Sequence, residues 1–138
     1  MSWVEGQSLK EIKKGPLSAD LLKLYGSAAL DPNPIHLDPE FAKAAGYPSV
    51  IAHGMLSMAF LAEALRMNFP SNEYNVEKFS SRFRKVTFPG DVLTTKGRIK
   101  KTEGDFLHVS LFIENQAGET TTQGEALLRS ARCVTPKQ

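Results

Sequence analysis

The first residues able to do chemistry are an acid, an amide and an imidazole that lie within one hexamer, Asp31-Pro32-Asn33-Pro34-Ile35-His36. Its two prolines fix two φ angles and remove two backbone donors, and the residue before each proline is pressed towards extended geometry. The loop therefore holds Asp31, Asn33 and His36 stiffly, which suits acid–base catalysis near neutral pH. A proline-rich turn with an Asn cap and a solvated His is the alternative, and the pattern alone leaves it open.

The second group of residues precedes a long apolar segment and reads Ile51-Ala52-His53-Gly54-Met55. A glycine that begins a helix presents an N–H with no Cβ to block a ligand, at the positive end of the helix dipole. Such an N–H can stabilise a developing oxyanion. Gly54 as a packing or cap glycine is the alternative, and His53 is predicted to orient the turn. Ser57 lies one turn further on and could bond to His53, but it lacks the glycine-flanked elbow of a hydrolase nucleophile.

Composition and spacing exclude several other classes of protein. The 138 residues carry a net charge of +2, too little for the footprint of a nucleic-acid binder. The three histidines, His36, His53 and His108, do not have metal-ligand spacing, and no nucleotide-binding glycine pattern is present. One cysteine, Cys133, excludes a disulfide framework. We therefore expect no metal, no cofactor and no nucleic-acid partner.

No secretory signal is apparent, and the most apolar stretch, residues 50–62, is too short and too polar to span a bilayer. The sequence therefore predicts a cytoplasmic protein without a membrane partner.

The elements that must position the two motifs divide into a helical front half and a strand-rich back half, which predicts an α+β fold in one domain, 1–138. A short strand is expected over 8–14. Helices are expected from a Ser18 cap to near Leu30, over 39–45 behind an Asp38 cap, and over 54–68. The last helix is apolar almost all round, so it should be buried. Strands are expected over 79–88, 92–102, around Leu107–Ile113 and over 119–132, as an antiparallel meander around that helix.

The two motifs together resemble the MaoC-like dehydratase family, which contains (R)-specific enoyl-CoA hydratases and 3-hydroxyacyl-carrier-protein dehydratases. The resemblance runs from Tyr25 through the hexamer and the His53-Gly54 motif, and it continues through Phe79–Lys85 and Phe88-Pro89-Gly90-Asp91. It covers essentially the whole chain. Gly54 follows Asp31 by 23 positions, and the two motifs linked at this spacing are far more specific than either motif alone.

This resemblance implies a hot-dog fold, in which an antiparallel sheet wraps around the helix at 54–68. It implies that Asp31 and His36 form the catalytic pair, that Asn33 orders their loop, and that the Gly54 N–H binds the thioester carbonyl. The predicted substrate-binding residues are Ile51, Ala52, His53, Met55 and Ala62. The implied activity is reversible hydration of trans-2-enoyl thioesters to (R)-3-hydroxyacyl thioesters in fatty-acid metabolism, on coenzyme A or acyl-carrier-protein handles. A homodimer, or a pair with a related subunit, is also implied, with the acyl tunnel near the interface.

Two departures from the family pattern stand close to the predicted site. Leu30 replaces the glycine that usually precedes the catalytic Asp, and Ala62 stands where some hydratases have a serine. Two other functions remain open: a hot-dog acyl thioesterase, and a non-catalytic acyl-binding partner subunit.

Overall fold

The computed structural model describes residues 3–131, and both Cys133 and the end of the predicted last strand lie outside them. The helices and strands follow in this order: β1 (Ile12–Lys14), α1 (Ala19–Ala28), α2 (Pro39–Ala44), α3 (Gly54–Asn68), β2 (Tyr74–Phe83), β3 (Leu93–Glu103), β4 (Phe106–Glu114) and β5 (Thr120–Ser130). A single 3₁₀ turn, Pro34–His36, lies between α1 and α2. No helix within residues 3–131 combines the length and the apolar character needed to cross a bilayer.

The predicted helix starts are confirmed, and each has a visible physical cause. Ser18 accepts a hydrogen bond from the Leu21 N–H at 3.0 Å and so caps α1. Asp38 caps α2 through the Glu40 N–H at 3.0 Å, and Pro39 opens that helix where its missing donor is not needed.

The five strands form one antiparallel sheet in the order β1-β3-β4-β5-β2. Helix α3 packs against β3, β4 and β5, and the apolar residues of β4 alternate inward as the sequence predicts. Those residues, Leu107, Val109, Leu111 and Ile113, are all buried. A Cβ on Gly124 would lie 2.9 Å from the Leu61 side chain, so this glycine lets α3 approach β5 closely. The hot-dog fold is confirmed.

Three details of the sequence prediction are wrong. The second strand spans 74–83 instead of 79–88, and its first residues were missed because a bulge between Val76 and Lys78 disrupts the alternation. The sheet is a meander only through β3, β4 and β5, since β2 pairs with β5 at the far edge. Helix α3 is buried on one face only: Met55 and Met67 are 57% and 56% exposed.

The first strand is shorter than expected. Only Ile12–Lys14 pair continuously with β3, and Ser8 contributes an isolated bridge to Arg98. The segment between β2 and β3 carries the chain from the edge strand β2 across the sheet to β3, which lies next to the opposite edge strand β1. On the way it passes the start of α3, where the Ala52 N–H donates to the Thr87 carbonyl at 2.7 Å. This crossing brings residues after β2 to the two sequence motifs.

Candidate active site

The hexamer folds into a tight turn that ends on His36. The Asp31 N–H donates to the Gly26 carbonyl at 2.8 Å, which fastens the hexamer to the end of α1. The Asn33 side chain accepts from the Ile35 N–H at 3.1 Å and caps the 3₁₀ turn. Asn33 thus orders the turn that presents His36.

His36 is held in one tautomer by the second motif. Its Nδ1 lies 2.8 Å from the Ile51 carbonyl oxygen. A carbonyl only accepts, so Nδ1 must carry the proton, and Nε2 of the neutral ring keeps its lone pair free. The Ile51 N–H donates in turn to the Ile35 carbonyl at 3.2 Å, so the two motifs are joined by hydrogen bonds in both directions. The free Nε2 is the nitrogen able to accept a proton.

His53 lies behind His36 and is 2% exposed. The two rings stack with centroids 3.8 Å apart and planes 25° apart. His53 Nε2 faces the Asp31 carbonyl at 3.4 Å, while its Nδ1 is enclosed without a hydrogen-bond partner. Burial lowers the pKa of His53, and the positive charge of a protonated His36 lowers it further. The carbonyl and the carboxylate of Asp31 offset this pKa shift only in part, so His53 is neutral near pH 7.

Two residues of α1 shape the surroundings of His53: Gly26 leaves space for its ring and Tyr25 packs against it. A Cβ on Gly26 would lie 3.0 Å from the Asp31 carbonyl oxygen and 3.4 Å from His53 Nε2. Tyr25 packs edge-on against the His53 ring, with centroids 4.9 Å apart. Sequence reasoning missed the role of Gly26. Its signal was a glycine inside a helix, which costs stability and often marks a close contact.

One carboxylate oxygen of Asp31 and one ring nitrogen each of His36 and His53 lie within 4.8 Å of one another, although the sequence spacing did not suggest a cluster. A cation shared by two imidazoles must lie in both ring planes, about 2.0–2.1 Å from each nitrogen for zinc. Stacked rings cannot meet this requirement, and one nitrogen of each ring already faces a carbonyl. The cluster therefore does not fit a metal ion as it stands.

Gly54 is the first residue of α3, and its N–H has no hydrogen-bond acceptor among the described residues. The N–H is free to bind an oxyanion. Sequence reasoning missed the neighbour on its other side: a Cβ at Gly54 would lie 3.0 Å from Cε2 of the Phe83 ring. The glycine is thus required for packing whatever its N–H does. Phe83 ends β2 and is 49% exposed.

A cavity of about 270 Å³ lies between the two motifs and the segment that follows β2. Residues of the predicted site that border it are His36, Ile51, Ala52, His53 and Gly54. Asp31 and Asn33, which the sequence assigned to catalysis, and Met55 and Ala62, which it predicted to bind substrate, do not border it. A larger groove of about 760 Å³ crosses the outer face of the sheet and contains none of the predicted site residues.

The fold and the site together define a hot-dog protein in which the His36 imidazole and the open N-terminus of α3 border one cavity, and in which the Asp31 carboxylate lies close to the His36 ring. Residues 3–119 match the family described as the MaoC like domain, and the chain belongs to that family.

Two curated relatives show how far this similarity reaches. The chain is 38% identical over 87 residues to the peroxisomal enoyl-CoA hydratase 2 of Arabidopsis thaliana, and this alignment covers 62% of the chain and 27% of that protein. It is 35% identical over 117 residues to fatty acid synthase 2 of Mycosarcoma maydis, and this alignment covers 80% of the chain and 3% of that protein. The chain therefore spans less than a third of the length of either of these two relatives.

Two solved structures are similar over nearly all of the chain. One is the unliganded R-hydratase PhaJ1 of Pseudomonas aeruginosa, with a TM-score of 0.83, 26% identity and coverage of 92% of this chain and 81% of that one. The other is the (R)-hydratase of A. caviae, with a TM-score of 0.84, 25% identity and coverage of 93% and 97%.

Proposed function

We propose that this protein catalyses the reversible hydration of trans-2-enoyl thioesters to 3-hydroxyacyl thioesters in fatty-acid metabolism. One observation carries the proposal: the hydrogen bond from His36 Nδ1 to the Ile51 carbonyl, which leaves Nε2 free to act as a base on a ring that lies close to the Asp31 carboxylate. The names of the similar hydratases support the same reaction. Residues 1–138 are proposed to act as one hot-dog domain, and the cytoplasm remains the compartment predicted from the sequence.

The reacting water is proposed to lie between the Asp31 carboxylate and His36 Nε2. Two hydrogen bonds of ordinary length from one water span about 4.5 Å between their acceptors. One nitrogen of the His36 ring lies within 4.8 Å of an Asp31 carboxylate oxygen, so the two side chains are close enough to share a water. His36 takes one proton as the water oxygen bonds to the β-carbon, and Asp31 holds the other hydrogen in place. The protonated His36 then returns this proton to the α-carbon, so one whole water is added across the double bond and no redox cofactor is required.

The β-carbon is electrophilic only while the thioester carbonyl is polarised. We assign this polarisation to the free Gly54 N–H and the positive end of α3. Ile51 and Ala52 border the same cavity and are proposed to contact the acyl group. The neutral His53 ring supports His36 from behind, where a second positive charge would oppose its protonation.

The (R) configuration of the product belongs to the same proposal and is supported by the two similar R-hydratases. The substrate handle is coenzyme A or an acyl carrier protein. A 3-hydroxyacyl-carrier-protein dehydratase of Arabidopsis thaliana, 33% identical over 86 residues, supports the second handle.

We also propose a homodimer, or a pair with a related subunit, because β2 lies at an open sheet edge and open edges are usually paired or covered. Sedimentation of the purified chain should give twice the monomer mass. A monomer that retains full activity would contradict this part of the proposal.

The test of the reaction is to mix the purified chain with crotonyl-CoA and to follow two signals. Hydration removes the enoyl absorbance and produces 3-hydroxybutyryl-CoA, whose configuration is read by chiral separation. Release of free thiol with the enoyl group intact would instead indicate a thioesterase. If neither signal appears, the chain is an acyl-binding subunit without enzymatic activity.

A further inference from the structure

Buried polar side chains are concentrated around the candidate cavity. The described residues contain six of them: His53, Ser57, Thr87, Thr95, Thr121 and Thr122. Four of these six border the cavity, namely His53, Ser57, Thr87 and Thr122. A buried hydroxyl is costly unless it has a hydrogen-bond partner, so such a concentration indicates a ligand or ordered water.

Ser57 is the hydroxyl that lies on the same helix as Gly54. Ser57 is 5% exposed, and its side chain makes no hydrogen bond to another described residue. Only one side-chain nitrogen or oxygen of the described residues is both enclosed and without a partner, and that atom is His53 Nδ1. The Ser57 oxygen is therefore reached from the cavity. The bond from Ser57 to His53 that the sequence allowed is absent between these described residues.

The geometry of an α-helix directs this hydroxyl towards the start of α3. Residues three apart lie on one side of a helix. Each helical side chain leans towards the N-terminus and covers the turn before its own Cα. Ser57 follows Gly54 by three residues in the first turn of α3, so its hydroxyl leans towards the free Gly54 N–H.

We infer that the Ser57 hydroxyl is a second hydrogen-bond donor to the thioester oxygen, beside the Gly54 N–H. The inference rests on the proposed hydration and adds a catalytic residue to it. As the enolate forms, the Ser57 O–H and the Gly54 N–H both point at the oxygen that gains charge. No bond of Ser57 is broken, and its proton stays on Oγ throughout.

The kinetic test compares Ser57→Ala with Thr95→Val, which removes a buried hydroxyl of β3 that does not border the cavity. One oxyanion donor typically contributes about 10² to 10³ in kcat. We expect Ser57→Ala to lower kcat for crotonyl-CoA by about 10² with little change in KM, because the bond strengthens as charge develops. Thr95→Val should keep the wild-type kcat.

A second measurement separates this role from a structural one. Butyryl-CoA has no double bond to hydrate, so it forms a stable complex whose thioester C=O stretch can be read by infrared difference spectroscopy. Bound to the wild type, this stretch should lie at lower frequency than in water, and Ser57→Ala should move it back towards the value in water.

The outcomes distinguish this inference from the proposed function. A wild-type chain that hydrates no enoyl thioester would overturn the function itself. An active wild type with unchanged kcat or an unchanged carbonyl frequency in Ser57→Ala would overturn only the role of Ser57. An equal loss of kcat in Thr95→Val would show that the loss comes from general destabilisation, and it would also overturn that role.

Discussion

Gly54 combines two requirements that a single substitution cannot separate. Its N–H is the proposed oxyanion donor, and a Cβ at this position would lie 3.0 Å from the Phe83 ring. Favourable contacts between carbon atoms lie at about 3.5–4.0 Å, so a side chain at Gly54 must displace the ring. Gly54→Val would therefore disturb both the packing and the space above the N–H.

The size of each effect can be estimated separately. Overpacking typically costs about 1–3 kcal/mol of unfolding free energy, and the half-exposed Phe83 ring at the end of β2 favours the lower part of that range. Loss of an oxyanion donor costs about 10² to 10³ in kcat, or about 2.7–4 kcal/mol in the barrier. Phe83→Leu shortens the ring side chain that a residue at position 54 would meet.

We predict that Phe83→Leu combined with Gly54→Val restores most of the unfolding free energy that Gly54→Val alone loses, but not the kcat. The assays are urea unfolding followed by circular dichroism, and hydration of crotonyl-CoA, with Phe83→Leu alone as the reference. If the double variant recovers both stability and kcat relative to Phe83→Leu, Gly54 is a packing residue and the oxyanion assignment is wrong.

Three further predictions concern stability around the site. Burial lowers the pKa of His53 in the folded state, so the unfolded chain binds this proton at higher pH and stability falls as the pH drops below about 6.5. His53→Gln should therefore reduce the change of the urea midpoint between pH 7 and pH 5, and a pH dependence equal to that of the wild type would refute this. Leu30 is 87% exposed and has a φ of +56°, a strained backbone angle for a residue with a Cβ, so Leu30→Gly should raise the unfolding free energy by up to about 1 kcal/mol. The control Leu30→Ala keeps the Cβ and should not, and equal urea midpoints for the two variants would show that the backbone at Leu30 is not strained. Gly26→Ala places a Cβ 3.0 Å from the Asp31 carbonyl and should lower both stability and kcat, and a fully active, stable variant would show that the loop adjusts freely.

Much of the site could be predicted from the sequence because its information is local. Proline geometry and helix capping act over a few residues, so the hexamer, the α2 cap and the start of α3 at Gly54 followed from the pattern alone. The role of His53 could be predicted only in part: the sequence suggested that it orients the turn, but not that its ring stacks on His36. Its stacking on His36 depends on the hydrogen bonds that join residues 35 and 36 to residue 51.

Long-range pairing could not be predicted in the same way. The tight turns that follow β3 and β4 fix their neighbours, but the long segment after β2 does not specify which edge of the sheet β2 joins. The contact between Phe83 and Gly54 depends on that choice of edge, and so do the buried hydroxyls on the cavity wall. Met55 and Ala62 were assigned to the site by motif position, and the helical period turns them away from the cavity lining.

The central claim is that Asp31 and His36 act together on one water. The most direct test measures kcat for crotonyl-CoA hydration by Asp31→Asn, by His36→Asn and by the double variant, with folding checked by circular dichroism. Each single variant should lose about 10² or more, the usual scale for an acid–base group. The double variant should be little slower than the poorer single variant, because residues that act as a unit are not additive. Near wild-type rates in both single variants would contradict the site, and full additivity would contradict a shared water.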